Sequence, residues 1–489
     1  MINDVEETRL KLALDSIKMG KFTIGEAELI FNVKIPSGKY KTKDMGFHTP
    51  TKKGMMPDFY GWAEYFVDRT KFFTFDGGSY IYDNDCKKYR RISEAELDYI
   101  LTQDTLRQVH PTQRNGFIRT LKSYSYKTPQ IMKIPTGLLN LRNGVLDVRT
   151  GVLSPHNSNL FFTYCLPHAY DATARCDRWM KFLDDVFEGS SELKIISAMI
   201  FGYVLMGGHP WLHQAFVLYG EGRNGKSTFL EMLKQLIGQE NFCSVSLSKL
   251  DKAFSVVHLD NKLANVIEES PNDRINAEAF KTAIGGGQLM GSKKYENEYL
   301  FDCHARFVFA CNELPKFGEQ TVGLQERLYF IPFKKYFEPS VRNGNILVEL
   351  SAELPGILNW ALSGLSLLLD ERRIPVVQSS VDVLDQFKTE SDSVYSWAEE
   401  FLTFDQNSKT EISSRALYKM YVEDTRDSNR QCVSDQKFFK RLRKFLNEKY
   451  KYPDDFINTK TRAYTGLSRS NGSSIFVNAQ HNFNTPYKD

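Results

Sequence analysis

Short, continuous apolar runs dominate the middle of the chain. Ala215–Tyr219 (AFVLY) is such a run, the pattern of a parallel strand buried on both faces. Directly after it, Ser227–Ile237 places Phe229, Leu230, Leu233, Leu236 and Ile237 on one helical face, with Gly238 as the stop. Further apolar runs follow at Leu263–Ile267, Arg306–Cys311 and Leu328–Phe333. Upstream, Phe72–Ile92 alternates aromatic and polar positions around Asp76-Gly77-Gly78 and Asp83-Asn84-Asp85, which predicts short antiparallel strands joined by turns. Leu138–Tyr170 reads the same way, with Asn143-Gly144 and Thr150-Gly151 as breakers. Helices are predicted over Val5–Lys18, Asp177–Phe187, Ser190–Met206 and Leu347–Leu369, and the basic stretch Lys41–Pro57 reads as loop. Ile195–Met206 is the most apolar segment. It is interrupted by Gly202 and falls short of the roughly 20 residues a membrane span needs, so a buried helix is expected.

At 489 residues with 42% hydrophobic positions, the chain can bury cores in two to four domains without disulfides. Its seven cysteines are scattered and form no CxxC pair, which suits a reducing cytoplasm. Cys165 and His168 have a metal-like spacing, but no second pair completes a zinc site. Met1–Glu7 is acidic where a signal peptide would be basic. A cytoplasmic protein with no membrane partner is therefore expected. The net charge of +3 carries no argument about nucleic acid, which must rest on local clusters.

Between the AFVLY run and its helix lies Gly220-Glu221-Gly222-Arg223-Asn224-Gly225-Lys226-Ser227, followed by Thr228. Every required position of G-x-x-x-x-G-K-[ST] is filled, in the strand-then-helix context that the motif needs. Its glycines let backbone N–H groups approach phosphates, and the helix N-terminus adds partial positive charge. Lys226 reaches the β- and γ-phosphates, and Ser227 offers its hydroxyl to Mg²⁺. ATP and Mg²⁺ are the expected cofactors. The next apolar run ends in Glu268 and Glu269, placed to hold the metal (Glu268 with Ser227) and activate water. Another ends in Asn312-Glu313-Leu314-Pro315, whose asparagine could position that water, and a last run follows Arg327.

This series, GEGRNGKST, VIEES, FKTAIGGGQLMGSKKYENEYLFD, FVFACNELP and ERLYFIPF, resembles the superfamily 3 helicases. More narrowly, it is similar to the phage and plasmid primase–helicases related to the poxvirus replication nucleoside triphosphatase. The resemblance spans about residues 135–450. It implies a Walker B role for Glu268 and Glu269, a sensor role for Asn312, and an arginine, Arg327, reaching a neighbouring subunit's γ-phosphate. Lys293 and Lys294 fall where the family carries a DNA-contacting hairpin; Lys281 lies earlier in that block. Many relatives have two arginines where this chain has Glu326-Arg327.

The implied fold is α/β, a P-loop, AAA+-like core with a smaller mixed N-terminal domain and a helical, winged-helix-like C-terminal domain. The corresponding spans are 1–135 (α+β accessory), 136–208 (linking, helical), 209–340 (ATPase core), 341–380 (helical lid and linker, the linker at Arg372–Ser380) and 381–489. In the last span, helices are predicted over Val394–Leu402, Ser414–Asp424 and from Ser434, with Ser474–Val477 as a wing strand. Between 437 and 451 there are seven Lys or Arg against one Glu, which makes Lys440, Arg441 and Lys444 DNA-binding candidates.

The implied function is ATP-driven DNA unwinding in replication of a phage or mobile element, by a homo-oligomeric ring, a hexamer by resemblance. Single-stranded and forked duplex DNA would be its substrates. The upstream sequence is too short for a full polymerase-type primase domain, so a separate primase or polymerase is an expected partner. Asp83-x-Asp85 could be primase carboxylates, although turn chemistry explains it more simply. Blander readings stay open for Lys293-Lys294 (a solvated pair), Arg327 (an internal ion pair) and the basic helix (packing on the core). A rival from another class is an origin-binding scaffold in which ATP drives assembly. A DNA-packaging motor is a third, without a nuclease-like acidic cluster to support it.

Overall fold

The computed structural model describes residues 48–51, 54–75, 78–104, 109–127, 137–269, 274–292, 298–317, 322–338, 343–427, 432–453, 456–458 and 463–469, with positions 9, 12, 13, 30, 31, 294 and 340. The predicted helix over Val5–Lys18, apart from Arg9, Leu12 and Ala13, lies outside these residues, as do Lys293 and Ser474–Val477.

The first described elements correct one expectation. Part of the stretch read as loop is a two-stranded antiparallel ribbon, β1 (His48–Thr51) with β2 (Gly54–Pro57). Both strands are edges, which is where Pro50 and Pro57 are tolerated. Next come α1 (Phe59–Thr70), β3 (Phe73–Phe75), β4 (Gly78–Asp83), β5 (Lys88–Arg91), α2 (Glu94–Asp104) and α3 (Pro111–Tyr124). The three strands pair antiparallel in sequence order, as the aromatic–polar alternation predicts. Trp62, Phe66, Phe72, Leu97, Phe117 and Leu121 close a small core between these helices and the sheet. At the β4–β5 turn, Asp83 Oδ1 accepts from the backbone N–H of Asp85 and of Cys86, both at 2.9 Å. That carboxylate is occupied by turn formation, as the simpler reading expects.

Strands β6 (Leu138–Leu141), β7 (Gly144–Asp147) and β8 (Leu153–Ser154) lead to α4 (Asp177–Val186) and α5 (Ser191–Leu205). Ser190 caps α5 by accepting from the Leu193 N–H. From Ile196 on, every residue of α5 is buried, and among the described residues no helix is long and apolar enough to cross a membrane.

The centre is a five-stranded parallel sheet in the order β10-β11-β14-β9-β15. Its strands are β9 (Ala215–Tyr219), β10 (Phe242–Cys243), β11 (Ala264–Ile267), β14 (Arg306–Cys311) and β15 (Leu328–Pro332). Between them lie α6 (Lys226–Ile237), α7 (Ala277–Ile284) and a hairpin of β12 (Gln288–Gly291) and β13 (Tyr299–Asp302). Alternate residues serve opposite faces. Phe216, Leu218, Val308 and Ile331 join one core with α5 and α6. Val217, Phe307, Phe309 and Phe330 join another with α7. Burial on both faces is why these strands read as unbroken apolar runs.

The predicted helical stretch Leu347–Leu369 is two helices, α8 (Ile346–Ser351) and α9 (Leu354–Glu371). Pro355 lacks an N–H and is favoured only in a first turn, so it starts a new helix. The joint has a use: Glu353 accepts from the backbone N–H groups of Arg178 and Trp179 at the start of α4, at 3.0 and 2.9 Å. Helices α5 and α9 meet at glycines, where a Cβ on Gly364 would lie 2.1 Å from the Ala198 carbonyl carbon. Within the expected linker Arg372–Ser380, residues 372–377 do connect two helices without regular structure. Ile374 and Val377 are buried in the main core, and α10 (Gln378–Ser391) already begins within it.

The C-terminal unit contains α11 (Ser393–Phe401), β16 (Leu402–Phe404), β17 (Glu411–Ser413), α12 (Ser414–Asp427) and α13 (Asp435–Tyr450). The short strands β18 (Ile457–Asn458), β19 (Ala463–Thr465) and β20 (Leu467–Arg469) follow, with β16 pairing β20 and β19 lying between β17 and β18. Trp397, Tyr421, Phe438, Leu442 and Leu446 form their own core.

Candidate functional site

Three neighbouring strands deliver the site from their C-terminal ends, where parallel α/β sheets carry ligands. The glycine-rich loop follows β9, the two glutamates follow β11, and Asn312 follows β14. Register keeps them level. Tyr219 pairs with Cys311 and Ile267 with Phe309, so Glu269, two residues on, comes about level with Cys311.

The loop is shaped by its surroundings. Gly225 has φ 91°, a left-handed conformation, and a Cβ there would sit 2.9 Å from Val186 of α4. At Gly220 a Cβ would lie 2.2 Å from the Phe333 carbonyl oxygen. Asn224 ties the loop to the end of β15 by donating to that same oxygen at 2.9 Å. Lys226, only 6% exposed, donates to the carbonyls of Gly220 (2.5 Å) and Glu221 (2.8 Å) and to Asn224 Oδ1 (3.1 Å). Burial lowers its pKa, and the charge of Glu269 opposes that shift. Burial also pushes the Cys311 thiol up to about 12, so it stays neutral.

Around the loop opens a cavity of about 450 Å³. It brings Gly222, Asn224, Gly225, Lys226, Ser227 and Thr228 together with Glu268, Glu269 and Asn312. The two acids differ. Glu268 is ion-paired with Lys234 of α6, whereas Glu269 is the acid whose charge acts on Lys226. The opposite wall went unnoticed in the sequence: Arg178, Phe182 and Asp185 of α4, with Phe337, Asn343 and Ile346. The apolar stripe of Asp177–Phe187 announced a helix, but nothing in it marks which face looks onto a ligand.

The remaining candidates lie elsewhere. Arg327 immediately precedes β15, and its carbonyl accepts from the N–H of Ala215, the first residue of β9. It therefore sits at the sheet edge opposite the glycine-rich loop, with its Nη1 donating to the Gly323 carbonyl at 2.6 Å. Lys281 is on α7, and Lys294 is exposed in the turn between β12 and β13. On α13, Lys440 is exposed, Arg441 pairs with Asp392 at 3.2 Å, and Lys444 pairs with Glu448 at 3.6 Å. Cys165 and His168 turn to backbone carbonyls, of Leu166 and Gln235 respectively.

Comparison with known proteins covers most of the chain. Residues 59–188 match the family described as D5 N terminal like, and residues 389–480 match Poxvirus D5 protein-like. Residues 218–327 match a family of unknown function. A protein of Acanthamoeba polyphaga mimivirus, whose name reads "Putative helicase", is 28% identical over 161 residues. That match covers 31% of this chain and 16% of the relative's length. Two structures of the NrS-1 C-terminal region each cover 77% of this chain, at TM-scores of 0.41 and 0.42 and identities of 13% and 12%. These matches support a phage or viral primase–helicase type related to the poxvirus D5 protein. The matches also carry the likeness further than about residues 135–450, back to residue 59 and on to residue 480.

Proposed function

We propose that the protein is an ATP-dependent DNA helicase or translocase that acts in replication of a phage or mobile element. The observation that carries this reading is the convergence of Lys226, Ser227, Glu269 and Asn312 on one cavity at the ends of adjacent parallel strands. The residues present fit a Mg²⁺-bound nucleoside triphosphate. First-turn N–H groups of α6 have no intrahelical acceptor, and the Lys226 ammonium is held at the loop by neutral oxygens that an anionic phosphate can replace. Bound ATP supplies the phosphoanhydride whose cleavage drives the motor.

In this reading Lys226 and the loop N–H groups neutralise phosphate charge, and Ser227 with Glu268 holds the metal once Glu268 is released from Lys234. Glu269 takes the proton of the attacking water, and Asn312 orients that water. Arg327 stabilises the transferred charge in a neighbouring subunit's site, which calls for a ring, hexameric by resemblance. Lys293 and Lys294 track single-stranded DNA through its backbone. The C-terminal unit, a winged-helix-like module, binds DNA through the Lys440 and Lys444 face. In this reading priming falls to a separate primase or polymerase, and the Asp83 carboxylate serves its turn.

The test is ATPase activity with and without DNA in the parent and in Lys226→Ala. Hydrolysis that DNA stimulates and the substitution removes is expected. Full hydrolysis by Lys226→Ala would end the assignment.

A further inference from the structure

Strand β5 ends at a junction of three parts of the molecule. Arg91 Nη1 pairs with Asp260 Oδ2 at 3.1 Å, and the Arg91 guanidinium carbon lies 3.9 Å from the centre of the Tyr299 ring. The Tyr299 hydroxyl donates to the same Asp260 oxygen at 2.9 Å. One corner of this triangle belongs to the N-terminal sheet, one to the segment leading into β11, and one to the hairpin. Tyr299 pairs with Gly291, the strand pair nearest the turn at Lys294. A second tie from β5 runs in parallel, Lys88 to Glu240 at 2.5 Å.

The chemistry suits a brace. A planar guanidinium can lie flat on an aromatic face while its in-plane N–H groups pair with a carboxylate, a stacked geometry that an ammonium lacks. The Arg91 and Asp260 side chains are 25% and 15% exposed, so solvent screens the pair less than a surface pair. Burial, then Asp260, raises the pKa of the Tyr299 hydroxyl, which keeps it a donor. At this end the hairpin also packs on the segment before β11, where a Cβ on Gly291 would lie 3.3 Å from Val257. Ser292 N–H donates to the Ala253 carbonyl at 3.2 Å, while Met290 and Leu300, its outward-facing pair, are exposed.

We propose that Arg91 is a positioning residue through which the N-terminal unit braces the β12–β13 hairpin against the sheet core, fixing where Lys294 meets DNA. The brace is independent of what the turn binds; its consequence for DNA rests on the reading of Lys293 and Lys294 given above. Nothing in the glycine-rich loop or its cavity is touched by it.

The test uses the full chain in four forms: the parent, Arg91→Ala, Arg91→Lys and Tyr299→Phe, each checked for an unchanged melting profile. Hydrogen exchange of the amides of residues 299–302 should rise roughly tenfold in Arg91→Ala, as expected when a local anchor is lost. Arg91→Lys should be intermediate, because charge survives and stacking does not, and Tyr299→Phe should rise less than Arg91→Ala. Basal ATPase should stay unchanged in Arg91→Ala while the single-stranded DNA concentration for half-maximal stimulation rises several-fold. Lys294→Ala separates the two claims: it should weaken DNA stimulation without altering exchange at 299–302. Unaltered exchange in Arg91→Ala overturns the brace. Raised exchange with unaltered DNA stimulation overturns its role in DNA engagement. Unaltered stimulation in Lys294→Ala removes the DNA reading of the turn and leaves the brace to stand on exchange.

Discussion

Replacing Arg327 by alanine distinguishes a shared active site from a self-contained one. Arg327 lies beside Ala215, at the start of β9, while the glycine-rich loop begins at its end. At about 3.3 Å per residue, the five residues of β9 put roughly 16 Å of strand between them, too far for the side chain to serve its own subunit's phosphate. Among the described residues, the guanidinium donates to the Gly323 carbonyl, and its Nε is buried without an acceptor. A purely internal role would thus cost about 1 kcal/mol of stability and little turnover. An arginine acting across a subunit boundary contributes roughly 10³–10⁵ in rate, about 4–7 kcal/mol of barrier. The two magnitudes are far enough apart to decide between the roles. Arg327→Ala should bind ATP nearly as the parent does and hydrolyse it at least about a thousandfold more slowly. Mixing it with Lys226→Ala, which keeps its arginine but has a dead site of its own, should restore part of the activity. Normal turnover in Arg327→Ala, or no recovery in demonstrably mixed rings, would refute action across the boundary.

Three further outcomes are expected. Glu269→Gln should retain ATP binding and lose roughly 10²–10⁴ in turnover, measured by filter binding and phosphate release; equal turnover would move the base elsewhere. Gly364→Ala should lower stability by about 1–3 kcal/mol or more in a denaturant titration, because its Cβ would meet the α5 backbone at 2.1 Å. A variant as stable as the parent would contradict the close helix crossing. Lys440→Ala with Lys444→Ala should weaken duplex binding and reduce the slope of log K against log salt by roughly 2. An unchanged slope would leave α13 with a packing role.

Much of the fold was legible because burial leaves a simple imprint. Strands β9, β14 and β15 are covered on both faces, so their residues read as runs, and the loop's glycines mark a backbone that must approach neighbours closely. The Ser190-Ser191 pair marks the start of α5, because a cap needs an oxygen there; either serine could have served, and packing selects Ser190. Other features depend on distant partners and leave no local trace. Strand β16 exists because β20, more than sixty residues on, pairs with it. The wall of the cavity at Arg178, Phe182 and Asp185 comes from a helix some forty residues before the loop. The pairing of Glu268 with Lys234, which sets the two glutamates apart, is likewise a product of packing. Helices α8 and α9 looked like one because apolar spacing continues across the break, and Pro355 was the single local sign against it.

The most direct measurement is strand separation on a forked duplex with a labelled strand, in ATP and Mg²⁺, comparing the parent with Lys226→Ala. Displacement by the parent that requires ATP and is lost in Lys226→Ala is the predicted result. DNA-stimulated ATP hydrolysis by the parent with no strand displaced would contradict the helicase reading and favour an assembly scaffold instead.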